Sequence, residues 1–191
     1  MRRGSRGSLR DALPGACTTP DLHRPDQALV GTVEEHTAPD VKEVLMPTRT
    51  ARTAWNGTLE QGGGQVELSS SKAGTFDVSF PKRAADEAGG TTSPEELIAA
   101  AHSSCYAMQL SALIGEAGGT PDALDVSADV SLAPDPAGGF QITTIALTVR
   151  GEVSGIDEAA FLKATEDAKA TCPVSKALTG TTITLDASLE S

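Results

Sequence analysis

Two cysteines are the residues of this chain whose types and surroundings are best suited to chemistry. Cys105 follows His102 and two serines, whereas an inert core thiol normally has aliphatic neighbours. Cys172 precedes Pro173, so its sulfur lies where the amides of a new helix point, and that position favours the thiolate. The two cysteines are far apart in the sequence and form no Cys-x-x-Cys motif, so only the fold can bring them together. The alternative is that each is a small buried hydrophobe.

A reactive Cys105 would need a cation from another part of the chain, because a helix dipole does not help a thiol in the middle of its helix. Arg83 is the natural candidate, since it stands on the loop that leads into the Cys105 helix. An arginine in an acidic, partly buried site should be held by a carboxylate through a two-pronged pair, and Glu95 is within reach of that loop. Taken alone, Arg83 is better explained as a solvated loop charge and Glu95 as a favourable carboxylate in a first helical turn.

Two other chemistries are alternatives to a thiol site. His102 and Cys105 lie on one helical face, and Cys172 could supply a third metal ligand. A structural zinc site needs four nitrogen or sulfur ligands, and the chain after residue 46 has no other His or Cys. There is no Gly-x-Ser-x-Gly elbow for a serine nucleophile. We therefore expect no metal and no cofactor, although a three-ligand catalytic metal site stays open as an alternative.

The element that carries Cys105 is the best-signalled helix of the sequence. Ser93-Pro94-Glu95-Glu96 is a capping box with proline at the first helical position, and Gly118-Gly119 predicts the end. No residue from Leu97 to Gly115 is charged, but the serines, Gln109 and His102 make the stretch too polar for a membrane. Such a helix should be packed by protein on every side, and we expect a second chain to cover part of it.

The elements around this helix alternate in a pattern that predicts an α+β fold, βββ-α-ββ-αα-β, with helices against largely antiparallel sheets. Hydrophobic alternation and turn signals place the other elements. They are strands at Thr50–Leu59, Gly64–Ser70, Thr75–Phe80, Leu124–Leu132, Phe140–Val153 and Thr182–Leu189, a helix from Ile156-Asp157 to Thr171, and a short helix at Pro173–Leu178.

Composition excludes several classes of partner. The chain has 191 residues and a formal net charge of −11, so it lacks the basic surface that nucleic acids and anionic membranes require. Three cysteines cannot form a disulfide scaffold, and this indicates reduced thiols and a cytoplasmic protein. Aromatic residues are only 3%, so the core must be aliphatic.

Residues 1–45 differ from the rest of the chain. They contain no aromatic residue and no sustained hydrophobic period, so we expect a disordered extension. No apolar stretch of signal-peptide length follows the basic opening residues, and the interspersed aspartates argue against a transit peptide. An alternative is that Met46 is the natural start. The domain then spans residues 46–191.

Three stretches of the sequence together resemble the OsmC/Ohr family. They are Gly90-Thr-Thr-Ser-Pro-Glu-Glu-Leu-Ile-Ala-Ala-Ala-His-Ser-Ser-Cys105, then Thr171-Cys-Pro-Val-Ser175, and the closing Ile183-Thr-Leu-Asp186. The resemblance covers the chain from about Met46 onwards, and Ala-Ala-His before Cys105 is similar to the OsmC branch. It implies an intertwined homodimer with antiparallel sheets on a long central helix and active sites at the subunit interface.

The same resemblance implies a thiol-dependent peroxidase that reduces organic hydroperoxides, and hydrogen peroxide, in stress defence. Cys105 would attack the peroxide and Cys172 would resolve the product to a disulfide, which a dihydrolipoyl group or another dithiol would reduce. Arg83 and Glu95 match the family's assisting residues. The loop around Arg83 is longer than in some members and also carries Lys82. Glu95 would lie about 15 Å from Cys105 along the helix, so we expect it to act on Arg83.

Two further expectations follow from these assignments. Apolar side chains could line a pocket for an alkyl hydroperoxide: Phe80, Leu97, Ile98, Tyr106 and Met108. The alternative function is a non-enzymatic stress or binding module of the same fold, with vestigial cysteines.

Overall fold

The computed structural model describes residues 48–190, and the predicted extension over residues 1–45 lies outside them. The described part contains two three-stranded sheets and four helices. In chain order the elements are β1 Arg52–Asn56, β2 Gly63–Glu67, β3 Thr75–Val78, α1 Phe80–Arg83, α2 Pro94–Glu116, β4 Thr120–Pro134, β5 Phe140–Ser154, α3 Glu158–Thr171, α4 Pro173–Ala177 and β6 Thr182–Glu190. The α+β class is confirmed, and the order differs from the predicted one by the extra helix α1.

The first sheet is an antiparallel meander of β1, β2 and β3. Its strands are shorter than predicted. The turn between β1 and β2 requires glycine at position 62. A Cβ on Gly62 would lie 2.3 Å from the carbonyl oxygen of Thr58, so no other residue fits without moving the backbone. Val66 is the buried hydrophobic side chain of this sheet.

The short helix α1 was not predicted, and the prediction that β3 continues to Phe80 was wrong. The strand ends at Val78, and Ser79 starts a helical turn by accepting a hydrogen bond from the amide of Lys82 at 3.4 Å. Pro81 stands in the first turn, where its missing N–H costs nothing. The signal was therefore present, as a serine cap followed by proline. Its consequence is that Arg83 ends a helix rather than lying on an open loop.

Helix α2 confirms the predicted start and end. The Ser93 hydroxyl accepts from the Glu96 amide at 3.1 Å, as the capping box requires. The Glu96 carboxylate does not reach back to the Ser93 amide but accepts from the Thr92 hydroxyl at 2.7 Å. At the other end Gly118 has a positive φ of 87°, and the next amide, of Gly119, donates to the carbonyl of Ile114 at 2.9 Å. This is the glycine-dependent termination that the sequence predicted.

Within one chain α2 is buried along a single face. The buried residues recur every four positions: His102, Tyr106, Leu110 and Ile114. The opposite side faces solvent, and Met108 is 68% exposed. The prediction of protein contact on every side is therefore not met by this chain alone. By length and composition α2 is the one helix among the described residues that could cross a membrane, but its buried face packs on β4 and α3.

The second sheet differs from the expectation of antiparallel pairing in one of its two ladders. Strands β4 and β5 pair antiparallel, whereas β5 and β6 pair parallel. The reason is the crossover through α3 and α4, which returns β6 to the same end of the sheet at which β5 began. The central strand β5 supplies Ile145, Leu147 and Val149 to the interior, and the last two join α2 and α3 in the main core.

Candidate active site

The fold brings the sulfur atoms of Cys105 and Cys172 to 3.3 Å from each other. Both are free thiols. Cys105 lies near the middle of α2, and Cys172 lies at the junction between α3 and α4. Helix α2 packs against both α3 and α4, and this packing places the two sulfurs together. The separation is within the range from which two reacting atoms can form a bond after a small movement.

Proline fixes the position of Cys172. The residue before a proline is pushed out of the helical region, and Cys172 has φ −54° and ψ 124°. Its amide still donates to the Ala168 carbonyl at 2.8 Å, so it ends α3. Its carbonyl accepts from the Lys176 amide at 3.0 Å, so it also begins α4. The break predicted at Thr171-Cys172-Pro173 is confirmed, and it directs the side chain back toward α2.

The two sulfurs differ in their access to solvent. Cys172 is 0% exposed and belongs to the hydrophobic core. Cys105 is only partly buried and packs against the edge of that core. A molecule that arrives from solvent can therefore reach Cys105 first.

The surroundings of the two thiols act in opposite directions on their pKa values. Burial raises the pKa of Cys105, the amide of Val174 opposes this, and the neighbouring Cys172 raises it further. Burial also acts to raise the pKa of Cys172. The amide of Ser175, the Cys105 thiol, the Ser175 hydroxyl and the amide of Val174 together outweigh it, so this pKa lies below its usual value. Two thiols this close cannot both be ionised, because the two negative charges repel each other. Within one chain, Cys172 is the thiol that loses its proton more readily.

Arg83 and Glu95 form a two-pronged ion pair at the start of α2. The Arg83 Nη2 lies 2.5 Å from Glu95 Oε1, and Nε donates to Oε2 at 2.9 Å. The side chains are 27% and 12% exposed, so the pair is largely shielded from water. Hydrogen bonding from Arg83, opposed by burial, holds the pKa of Glu95 below its usual value, and Glu95 in turn raises the pKa of Arg83. The contact expected between these two residues is present.

The ion pair and the two thiols form separate groups within one chain. Among the described residues, the groups that shift the pKa of Cys105 belong to Val174 and Cys172 and do not include Arg83. Ten residues of α2 also separate Glu95 from Cys105, which corresponds to about 15 Å. The prediction that Arg83 holds the Cys105 thiolate thus stays a prediction, and a single chain does not place the guanidinium on that sulfur.

His102 bonds to a residue that the sequence analysis did not single out. Its Nε2 lies 2.7 Å from the hydroxyl oxygen of Ser175, and both residues are buried. Burial lowers the pKa of His102. A serine three residues after a helix-capping cysteine was the signal that could have identified Ser175. Within residues 48–190 no three His, Cys, Asp or Glu side chains gather as metal ligands, so the metal-site alternative gains no support.

An apolar cavity of about 390 Å³ lies between the first sheet and the start of α2. Arg83 and Thr92 are among its few polar lining residues, and the apolar ones include Trp55, Leu59, Val78, Phe80, Pro94 and Leu97. Of the predicted pocket residues, Phe80 and Leu97 do line this cavity. Tyr106 was assigned wrongly, since it is buried in the core and its hydroxyl donates to the Thr165 carbonyl at 2.7 Å.

The fold combines two small sheets with a long helix that carries Cys105, and it places Cys172 beside that helix at the junction of α3 and α4. This combination defines a family. The model of that family, the OsmC-like proteins, matches residues 87–186. The chain belongs to this family, so the predicted resemblance is confirmed. It is 45% identical to Peroxiredoxin OsmC of Escherichia coli over 137 residues, which is 72% of this chain and 93% of the relative.

Solved structures carry the same fold. An organic hydroperoxide resistance protein from Elizabethkingia anophelis aligns with a TM-score of 0.62 and 25% identity, over 76% of this chain and 98% of that one. The organic hydroperoxide resistance protein OhrB of Bacillus subtilis aligns with a TM-score of 0.58 and 27% identity, over 73% and 98% of the respective chains.

Proposed function

We propose that this chain is a thiol peroxidase that reduces organic hydroperoxides with Cys105 and Cys172. The observation that carries the proposal is the 3.3 Å separation between one partly exposed and one buried sulfur. The 45% identity to Peroxiredoxin OsmC supports the same class of enzyme, in agreement with the sequence-based prediction.

The first step takes place at Cys105, because it is the sulfur that solvent reaches. Its thiolate attacks the terminal oxygen of ROOH, so an S–O bond forms as the O–O bond breaks. The sulfur is oxidised to a sulfenic acid, and the departing alkoxide takes up a proton to become ROH. The peroxide is thereby reduced by two electrons.

The second step joins the two sulfurs. Cys172 attacks the Cys105 sulfur, an S–S bond forms, and the S–O bond breaks as hydroxide leaves and is protonated to water. A small external dithiol then reopens the disulfide by thiol exchange, returning both cysteines to thiols and becoming a disulfide itself. A dihydrolipoyl group is the reductant that we propose, and hydrogen peroxide is a second substrate.

The enzyme works as a homodimer in which Arg83 of one copy acts on Cys105 of the other. Three features support this proposal. The outer face of α2 is exposed in one chain, Trp55 and Phe76 of the β1–β3 sheet are 41% and 42% exposed, and the Arg83–Glu95 pair is shielded but far from the Cys105 sulfur of its own chain. A guanidinium supplied by the second copy would shift the shared ionisation from Cys172 to Cys105.

The cavity beside Arg83 supports an alkyl hydroperoxide as the substrate. Its lining is mostly apolar, and the guanidinium lies at one side. A hydrocarbon group would bury its surface against Trp55, Phe80 and Leu97, while the polar peroxide group stays at the charged end. In a dimer this cavity would lie next to the cysteines of the second copy.

Peroxide consumption tests the proposed activity. We expect the wild type to consume cumene hydroperoxide with a dithiol, and Cys105→Ser to lose this activity. Cys17→Ser is the matched control, because it removes a thiol without touching the pair, and it should retain full activity. If the wild type consumes no hydroperoxide, the protein is a non-enzymatic module and the proposal is wrong. If Cys105→Ser retains the wild-type rate, the activity does not use Cys105 and the proposed mechanism is wrong.

Mixed dimers test the arrangement across the interface. Arg83→Ala and Cys105→Ser are each expected to be inactive as homodimers. When the two variants are coexpressed, a mixed dimer regains one complete site only if Arg83 acts on the Cys105 of the other copy. Activity in the isolated mixed dimer supports the proposal. An inactive mixed dimer places both residues in one chain and overturns it.

A further inference from the structure

The proposed reaction leaves one buried titratable group without a role, and this group is His102. It is 0% exposed, and its Nε2 lies 2.7 Å from the Ser175 hydroxyl oxygen. Its other ring nitrogen, Nδ1, has no hydrogen-bond partner among the described residues. A buried polar atom without a partner costs stability, so a purely structural role would be better filled by an apolar side chain.

Ser175 bonds to His102 and is close in sequence to the resolving cysteine. It is the third residue of α4, and Cys172 immediately precedes that helix. The amide and the hydroxyl of Ser175 both act to lower the pKa of Cys172. Ser175 is itself 4% exposed, so water does not compete strongly for its hydroxyl.

The numbers of donors and acceptors on His102, Ser175 and Cys172 determine which group would donate to which. A serine hydroxyl has one proton, and a thiolate can only accept it. When the Ser175 hydroxyl donates to Cys172, its oxygen must accept from His102, so Nε2 carries the proton. The ring is then neutral with a bare Nδ1, which agrees with the downward shift that burial imposes on the pKa of His102.

We propose that His102 and Ser175 are positioning residues for disulfide formation: His102 orients the Ser175 hydroxyl, and that hydroxyl holds the Cys172 sulfur ionised and directed at Cys105. This inference rests on the proposed function, in which Cys172 resolves the sulfenic acid. It assigns the histidine and serine of the two cysteine motifs to the second step rather than to the attack on peroxide.

Two titratable groups of α2 lie near Cys172. Cys105 is its direct neighbour, and Cys172 contributes to the raised pKa of Tyr106, so that phenol is also close. Tyr106 stays neutral because its pKa is raised, mainly by burial. Once Cys105 has become a sulfenic acid it no longer competes for the negative charge. The Ser175 hydroxyl and the α4 amides then determine how readily Cys172 ionises.

The electron and proton balance of the step is simple. Cys172 loses its proton on ionising, and the electron pair left on its sulfur forms the S–S bond. The S–O bond of the sulfenic acid breaks, and the leaving hydroxide takes a proton to become water. The oxidant is the sulfenic acid formed in the first step, so no further reactant is needed.

The first test measures Cys172 alone and does not depend on peroxidase activity. In a Cys17→Ser, Cys105→Ser background the only thiol left is Cys172, and thiolate absorbance reports its ionisation against pH. We expect Ser175→Ala and His102→Phe to raise the midpoint. Ser175→Thr keeps the hydroxyl, and His102→Gln places an amide nitrogen near the position of Nε2, so both should stay near the background value. An unchanged midpoint in Ser175→Ala overturns the inference.

The second test separates the two chemical steps in the otherwise native chain. After one equivalent of cumene hydroperoxide, quenched-flow mass analysis follows the sulfenic acid and the disulfide. We expect Ser175→Ala to form the sulfenic acid no more slowly than wild type and the disulfide about ten- to a hundredfold more slowly, which is the usual range for losing a hydrogen bond to a charged group. His102→Phe should slow disulfide formation in the same way as Ser175→Ala, and His102→Gln should restore the rate of disulfide formation.

The outcomes distinguish a failure of the proposed peroxidase function from a failure of the inference about His102 and Ser175. If the wild type forms no sulfenic acid, the proposed function is wrong, whatever the pH titration shows. If the wild type completes both steps and Ser175→Ala forms the disulfide at the wild-type rate, only the inference about His102 and Ser175 is wrong. If His102→Gln is as slow as His102→Phe while both have wild-type melting temperatures, the histidine does not act through a donor at Nε2.

Discussion

Arg83 and Glu95 join the short helix α1 to the first turn of α2 by a two-pronged ion pair, with Arg83 Nη2 at 2.5 Å from Glu95 Oε1. The pair fixes the guanidinium in a plane, and lysine could not reproduce this geometry. Lys82 stands directly beside Arg83 in the sequence, but its side chain makes no ion pair among the described residues. The structure thus distinguishes Arg83, which the sequence analysis selected, from the adjacent Lys82.

Glu95→Gln should destabilise the fold in a pH-dependent way. The pKa of Glu95 is lowered from 4.5, so the ion pair contributes stability above that pH and loses it as the pH falls through the lower value of the folded state. We expect a loss of about 1–2 kcal/mol at neutral pH that disappears in acid. Denaturant unfolding at several pH values measures it.

Glu158→Gln is the matched control for that experiment. Glu158 is also an acidic residue in the first turn of a helix, and no ion pair of the described residues includes it. Its replacement should change stability by only a few tenths of a kcal/mol. Equal losses in both variants would mean that Glu95 acts on the helix dipole rather than on Arg83.

Met108→Glu should separate the proposed dimer. Met108 is 68% exposed on the outer face of α2, and a carboxylate placed in a covered apolar face would be strongly unfavourable. Light scattering during size exclusion is expected to give the mass of two chains for the wild type and one for the variant. Phe140→Glu changes another exposed apolar residue, at the start of β5, and should leave the mass unchanged. A wild-type protein of single-chain mass would contradict the dimer.

Gly151→Ala tests the packing that holds the site together. A Cβ at Gly151 would lie 2.7 Å from the ring of Phe161, which α3 packs against β5. The ring cannot move freely because Phe161 is completely buried, so we expect a loss of about 1–3 kcal/mol and a lower melting temperature. Gly180→Ala is the control, because no atom lies within 4 Å of its added Cβ. A melting temperature equal to that of the control would contradict this packing.

Cys172→Ser should trap the oxidised state of Cys105. Without a resolving thiol the sulfenic acid persists, and excess hydroperoxide converts it to sulfinic acid. Intact mass should show first one and then two added oxygen atoms, and peptide mapping should place them on Cys105. Oxygen addition at Cys172 in the matched Cys105→Ser variant, at a higher rate than at Cys105 in Cys172→Ser, would reverse the roles of the two cysteines.

The sequence carried most of the local information because short-range signals determine where helices start and end. The cap at Ser93, the glycines after α2 and the break before Pro173 all appear in the structure as predicted. The parallel pairing of β6 could not be predicted from its own residues, since alternation shows which face is buried but not which neighbour a strand takes.

The sequence motifs identified some residues of the candidate site, whereas contacts between distant segments could not be predicted. The motifs around Cys105 and Cys172 identified both sulfurs, and the family resemblance gave their pairing before any distance was known. The contact between His102 and Ser175 was missed because it joins residues on two helices that are remote in sequence. The relation of Arg83 to Cys105 involves a second copy in our proposal, and one chain's sequence carries no direct signal of such a contact.

Disulfide mapping after a single turnover tests most directly whether Cys105 and Cys172 react as a pair. Reduced protein is treated with one equivalent of cumene hydroperoxide without reductant, and the intact mass and the cross-linked peptides are determined. The proposed reaction predicts the loss of two hydrogen atoms per chain and one bridge, between Cys105 and Cys172 of the same chain. An unchanged mass, or a bridge that includes Cys17 or joins two chains, would contradict it.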